Sequence, residues 1–159
     1  MSGTITDNLG RSSGLIKAVS AAGGKILQVV GDTHATEVTH NSTSYTDSGI
    51  DVDITPSATS SKIYIIATTG TYFVDGYVWY MSIFRDSTDL DPGSVGLVSF
   101  NSQNKDATMG TGISWVDSPS STSAITYSVR VKAQTSGRRL DTCPGGAQSS
   151  ITAFEIDGS

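Results

Sequence analysis

Apolar and polar residues alternate one for one along much of this chain. Ile50, Val52 and Ile54 alternate with Asp51, Asp53 and Thr55, which is the period of a strand with one apolar and one wet face. Pro56 cannot join a ladder, and Ser57 to Ser61 are small turn formers. In Lys62 to Ala67 five of six residues are apolar or aromatic, a pattern that predicts burial on both faces. The stretch Ile50 to Ala67 therefore reads as one antiparallel hairpin at the heart of a sandwich.

The same reading extends in both directions. Lys25 to Val30 is a predicted strand, and Gly31 to His34 a turn. Ala35 to Tyr45 reads as a polar, solvent-facing edge strand, and Asp47-Ser48-Gly49 as a turn. Gly70 ends the second strand of the hairpin. Thr71 to Phe84 is the most aromatic segment, with Asp75-Gly76 as a tight turn and a central strand from Tyr77 whose aromatics are mostly core. Asp86 to Gly93 is an acidic loop, Val95 to Phe100 a strand, Asn101 to Gly112 a loop or irregular strand, and Ile113 to Val116 a short apolar strand. Ile125, Tyr127, Val129 and Val131 alternate with Thr126, Ser128, Arg130 and Lys132. Thr135 to Ser149 is a long loop, and Ile151 to Ile156 a last strand buried in the sheet. Gly14 to Ala22 is the only predicted helix, closed by Gly23-Gly24. Eight to ten short strands with no βαβ pattern predict an all-β, jelly-roll-like antiparallel β-sandwich over residues 25–159, behind a short arm or helix over residues 1–24.

Composition narrows the function. Ser and Thr make up more than a quarter of the 159 residues, which suits short strands and turns over helices. A net charge of −5 argues against a nucleic-acid footprint, which needs a basic stripe. No apolar run reaches the length of a membrane span, and the first residues lack the apolar core of a signal peptide. The chain is therefore expected to be made in a cytoplasm, with no membrane partner. Cys143 is the only cysteine, so no internal disulfide or cysteine zinc site can form, and it reads as an incidental thiol ahead of a Pro-Gly-Gly loop.

Candidate chemistry is sparse. His34 and His40 share one polar segment with Glu37, at a spacing that matches no zinc motif, and read as solvated residues. Asp86, Asp89 and Asp91 cluster in a loop but lack the EF-hand spacing. Arg138-Arg139 could grip a phosphate or carboxylate, although a solvated pair is the simpler reading. No phosphate-binding glycine loop and no nucleophile elbow occurs. The expectation is a protein that is not an enzyme and needs no cofactor or metal.

Several blocks occur in a telling order: GKILQVV at Gly24, TSYTD at Thr43, IDVDITPSATSSKI at Ile50, SWVDSPSSTSAITYSVRVKA at Ser114 and ITAFEI at Ile151. Together they resemble small β-domains of tailed phages, especially those of cyanophages, and the leader RSSGLIKAVSAAGGK at Arg11 is similar to leaders ahead of such domains. The resemblance spans about Gly24 to Ile156. It implies a virion structural protein, such as a tail fibre or an adhesion head. Such a protein would be a homotrimer, partnered by other virion proteins and reaching a host-surface glycan. A capsid decoration protein is the alternative, and a glycan-binding lectin or depolymerase the second. Receptor contact would fall on the long loops, with Asp86, Asp89, Asp91, Asn101, Asn104, Arg138 and Arg139 as candidates. Attachment to the particle would fall on the arm, with Arg11, Leu15 and Ile16.

Overall fold

A computed structural model describes residues 24–74, 78–91, 93–101 and 106–158. The predicted helix, the attachment residues Arg11, Leu15 and Ile16, the Asp75-Gly76 turn and Asn104 lie outside these residues. Two antiparallel sheets pack face to face, giving the all-β sandwich that the alternation predicts.

The first sheet is built on β4 (Lys62–Val74). One edge of β4 pairs with β11 (Ser149–Ile156) over Lys62 to Thr68 and then with β10 (Arg139–Thr142) over Thr71 to Val74. Its other edge pairs with β8 (Ala107–Asp117) along Ile63 to Phe73. Outside β11 lies β1 (Ile26–His34), and outside β10 lies β2 (Val38–His40). The second sheet centres on β5 (Val78–Arg85), flanked on one side by β9 (Ile125–Ala133) and then β3 (Thr46–Ile54). The other side of β5 carries β6 (Thr88–Asp89) and β7 (Val98–Asn101).

The inward residues of both sheets interdigitate. Ile50, Val52 and Ile54 of β3 meet Ile63 and Ile65 of β4 in one core with Trp79, Met81, Ile83, Tyr127, Val129 and Val131. Trp79 is fully buried.

Several expectations are corrected. Ile50 to Ala67 is not a hairpin: β3 and β4 belong to different sheets, and Thr55 to Ser61 crosses between them. Gly31 to His34 is not a turn, because β1 runs on beside β11 to His34. At Gly31 the two strands run close, and an added Cβ would sit 3.2 Å from the Ile151 carbonyl. Asp47 to Gly49 is a bulge inside β3, with Gly49 at φ +74°. Gly70 does not end β4. It marks the point where β4 changes partner, with Pro144 and Ala147 packed 3.4–3.5 Å from where its Cβ would stand. Of the two readings given for Asn101 to Gly112, the strand holds from Ala107 on, and it is continuous with Ile113 to Val116: β8 is one strand of 11 residues. Thr135 to Ser149 is not a single loop either, because β10 lies within it and buries Leu140, Asp141 and Thr142.

Candidate interaction surface

Most of the charged residues singled out from the sequence are spent inside the fold. Asp86 stands in a left-handed turn at φ 52°. Its carboxylate accepts the Thr126 N–H at 3.1 Å, and its carbonyl accepts Arg130 Nη2 at 2.7 Å. One oxygen of Asp89 accepts both the Ser82 hydroxyl and the Asp91 N–H. Asp91 in turn accepts the N–H groups of Gly93 and Gly96, each at 2.8 Å. These carboxylates shape their own loop. Among the described residues no three His, Cys, Asp or Glu are grouped so as to hold a metal ion.

Arg139 is held by Asp141 through Nε at 2.9 Å and Nη2 at 2.7 Å, with Glu37 at 3.7 Å. Arg138 is half-buried beside it. Asn101 ends β7 and lines an apolar cavity of about 250 Å³ with Phe73, Phe100, Ala107 and Met109. Asp86 to Asp91 thus shape one loop, Arg139 is held by Asp141 and Glu37, and Asn101 lines the cavity beside Phe73, whose ladder partner is Leu140.

One of the two histidines also differs from expectation. His40 is buried, not solvated. Its Nδ1 lies 2.8 Å from Thr46 Oγ1 and its Nε2 3.1 Å from Thr142 Oγ1. The Thr46 hydroxyl also donates to the Val131 carbonyl, and the Thr142 hydroxyl to the Val38 carbonyl at 3.5 Å. Burial lowers the pKa of His40 to about 4, against the pull of Asp141 and Asp47. Cys143 is also buried, with its thiol 3.0 Å from Ser149 Oγ.

Two buried carboxylates that the sequence did not single out join distant segments. Asp117 accepts two hydrogen bonds from Arg85 at 2.9 and 3.1 Å and one from the Tyr127 hydroxyl at 2.7 Å, tying the two sheets together. Glu155 accepts the N–H and hydroxyl of Ser57 and the hydroxyl of Ser61 on one oxygen, and Gln28 Nε2 on the other, each at 2.6 Å. Burial alone would raise its pKa, but these bonds outweigh it and hold it at about 2.

The outer faces of the two sheets differ in chemistry. On the second sheet cations cap the aromatics: Lys132 Nζ sits 4.3 Å above the Tyr45 ring, and Arg130 4.5 Å above Phe84. On the first sheet the register aligns Val29, Phe154, Tyr64 and Val116 in one row across four strands. Val29 is 52% and Val116 51% exposed, and the Tyr64 and Phe154 rings lie 6.0 Å apart. Ile66, at 39%, extends the patch. The predicted burial of β4 on both faces therefore holds only on its inner side. Beside the row, Gly70, Gly110 and Gly112 leave an open groove of about 420 Å³.

Neither a protein-family model nor a curated protein sequence matches the chain. Among solved structures, a chain in "Structure of infectious bursal disease virus Gx strain" is similar over 81% of this chain, at 14% identity and a TM-score of 0.32. This chain covers 39% of that one. Among the described residues no helix is long and apolar enough to cross a membrane.

Proposed function

We propose that the chain is a non-enzymatic structural module of a tailed-phage virion. In this reading it is a tail-fibre or adhesion-head domain that assembles as a homotrimer, is attached through residues 1–24 and reaches a host-surface glycan. The observation that supports the reading is where the phage-like blocks fall. GKILQVV supplies Gln28, ITPSATSSKI supplies Ser57 and Ser61, and all three side chains meet at the buried carboxylate of Glu155, which ITAFEI supplies. The blocks that carry the resemblance thus also contribute to the frame of the sandwich. The consumption of Asp89, Asp91, Asp117, Asp141 and Glu155 by internal partners fits a structural role.

Immunogold labelling of intact particles tests it. Label at fibres or tail tip is the expected result. Label over the head shell would make the chain a capsid decoration module instead, and absence from purified particles would refute the virion role.

A further inference from the structure

The edges of the two sheets are not equally protected. A sheet edge offers unpaired N–H and C=O groups, and proteins guard it with charges, bulges or short strands. The edge strand β3 carries Asp47, Asp51 and Asp53 and a bulge. The edge strand β1 has a register break between Ile26 and Gln28 and carries Asp32. β2, β6 and β7 are four residues long or shorter. β8 has no bulge, is not short, and carries a charge only at its end, Asp117. It pairs with β4 through 11 residues without a break, about 37 Å at the ~3.4 Å rise of a strand. No described strand lies on its other edge. From Ala107 to Val116 it holds no charge and no proline, and Asp117 is turned inward to Arg85.

The glycines of β8 point the same way. Gly110 and Gly112 lie mid-strand, where glycine is unfavourable. Neither has a positive φ, so the backbone does not demand them. Space inside the subunit does not demand them either: a Cβ on Gly110 would meet nothing within 4 Å, and one on Gly112 only the Ala67 carbonyl at 4.0 Å. Glycine at such a place fits the close approach of another backbone.

We infer that β8, with the groove over Gly110 and Gly112 and the adjoining Val116 end of the apolar row, is the seam along which a second copy of this chain docks. The inference rests on the proposed assembly of identical copies and names its contact. Charge selects the occupant. The chain carries −5 overall, and Asp47, Asp51 and Asp53 of β3 lie with Asp32 of β1 on one side of the sandwich. Two copies repel through that side, whereas the uncharged residues 107–116 of β8 let them meet without penalty. Main-chain pairing reads no sequence, so an identical chain satisfies the edge as well as a foreign one.

The test is sedimentation velocity and amide hydrogen exchange on the full chain and on Gly110→Lys, Gly112→Lys and Asp51→Lys. The open space at both glycines predicts that the lysine variants fold and melt as the wild type does at dilute concentration. The wild type should associate, with its β8 amides protected. Each glycine variant should weaken association about a hundredfold and expose those amides, while Asp51→Lys on the β3 edge leaves association intact. If the wild type associates and the glycine variants associate equally well, the seam is overturned and assembly stands. If Asp51→Lys dissociates the oligomer as strongly, the effect is one of general charge and the seam is overturned. A wild type that stays monomeric overturns both, and protected β8 amides in that monomer would put another segment of the same chain on the edge.

Discussion

Replacing Glu155 by glutamine removes one charge and almost no volume, so it isolates the carboxylate cage. The amide oxygen can stay toward Ser57 and Ser61, but the amide nitrogen then faces Gln28 Nε2, another donor. Gln28 cannot turn over without losing its 2.7 Å bond to the Thr55 carbonyl. The three retained hydrogen bonds fall from the charged to the neutral class, a loss of about 1 kcal/mol each, and the unmade fourth costs about 1–3 kcal/mol. Cheaper burial of a neutral amide returns part of this. The expected cost of Glu155→Gln is about 3–4 kcal/mol at pH 7, large against a typical total of roughly 5–15 kcal/mol. Urea unfolding followed by circular dichroism measures it. The sign with pH follows from the depressed carboxyl, at about 2 in the folded chain against its ordinary 4.5. Its stabilisation is fully present above pH 4.5 and is lost as pH falls toward 2. The gap between wild type and variant should therefore close through that window, because a protonated Glu155 resembles glutamine. A gap below about 0.5 kcal/mol at neutral pH, or one that does not shrink in acid, would refute the cage as a stabilising device.

Three further outcomes are expected. Trp79→Ala should cost about 3–5 kcal/mol in the same assay, since the ring is fully buried between the sheets; a cost near zero would place it outside the core. Arg85→Met should cost about 2–3 kcal/mol by leaving Asp117 buried with only Tyr127 to answer it, and the added variant Asp117→Asn should recover part of the loss. His40 has a lowered pKa of about 4 against 6.5, so the unfolded chain takes up a proton that the folded one refuses. Stability present above pH 6.5 should fall as pH drops toward 4, and His40→Gln should lack that loss; parallel curves would contradict the buried neutral ring.

What could be read ahead of the structure depended on how local the cause was. The alternation in Ile50 to Ile54 and Ile125 to Val131 is a property of single strands, and both form where the pattern puts them. The aromatic run is likewise a central strand with Trp79 inward. The sheet to which a strand belongs is not local. Thr55 to Ser61 has the composition of a hairpin turn, yet it crosses between sheets because Glu155, almost a hundred residues on, holds Ser57 and Ser61. β10 was hidden because Arg139-Leu140-Asp141-Thr142 has one apolar residue, and Asp141 can be buried only where Arg139 and Thr39 answer it. The burial of His40 needed Thr46 and Thr142, from two different strands. The apolar row on the first sheet did leave a trace: Tyr64 and Ile66 gave β4 an apolar second face, which reads as burial until the structure shows nothing in the chain's described part lying over it.

The place of β11 has a consequence for synthesis. Of the eleven described strands it is the last to leave a ribosome, yet it stands inside the sheet, between β1 and β4. Until it emerges, β1 has no strand to pair with, half of one edge of β4 stands open, and the Ser57–Ser61 crossing lacks its Glu155 anchor. The second sheet can form earlier, because β9 precedes β11 by some twenty residues. The nascent chain therefore carries an unfinished template exposed to its neighbours until β11 emerges, and a chain truncated before Ser149 would be prone to aggregate.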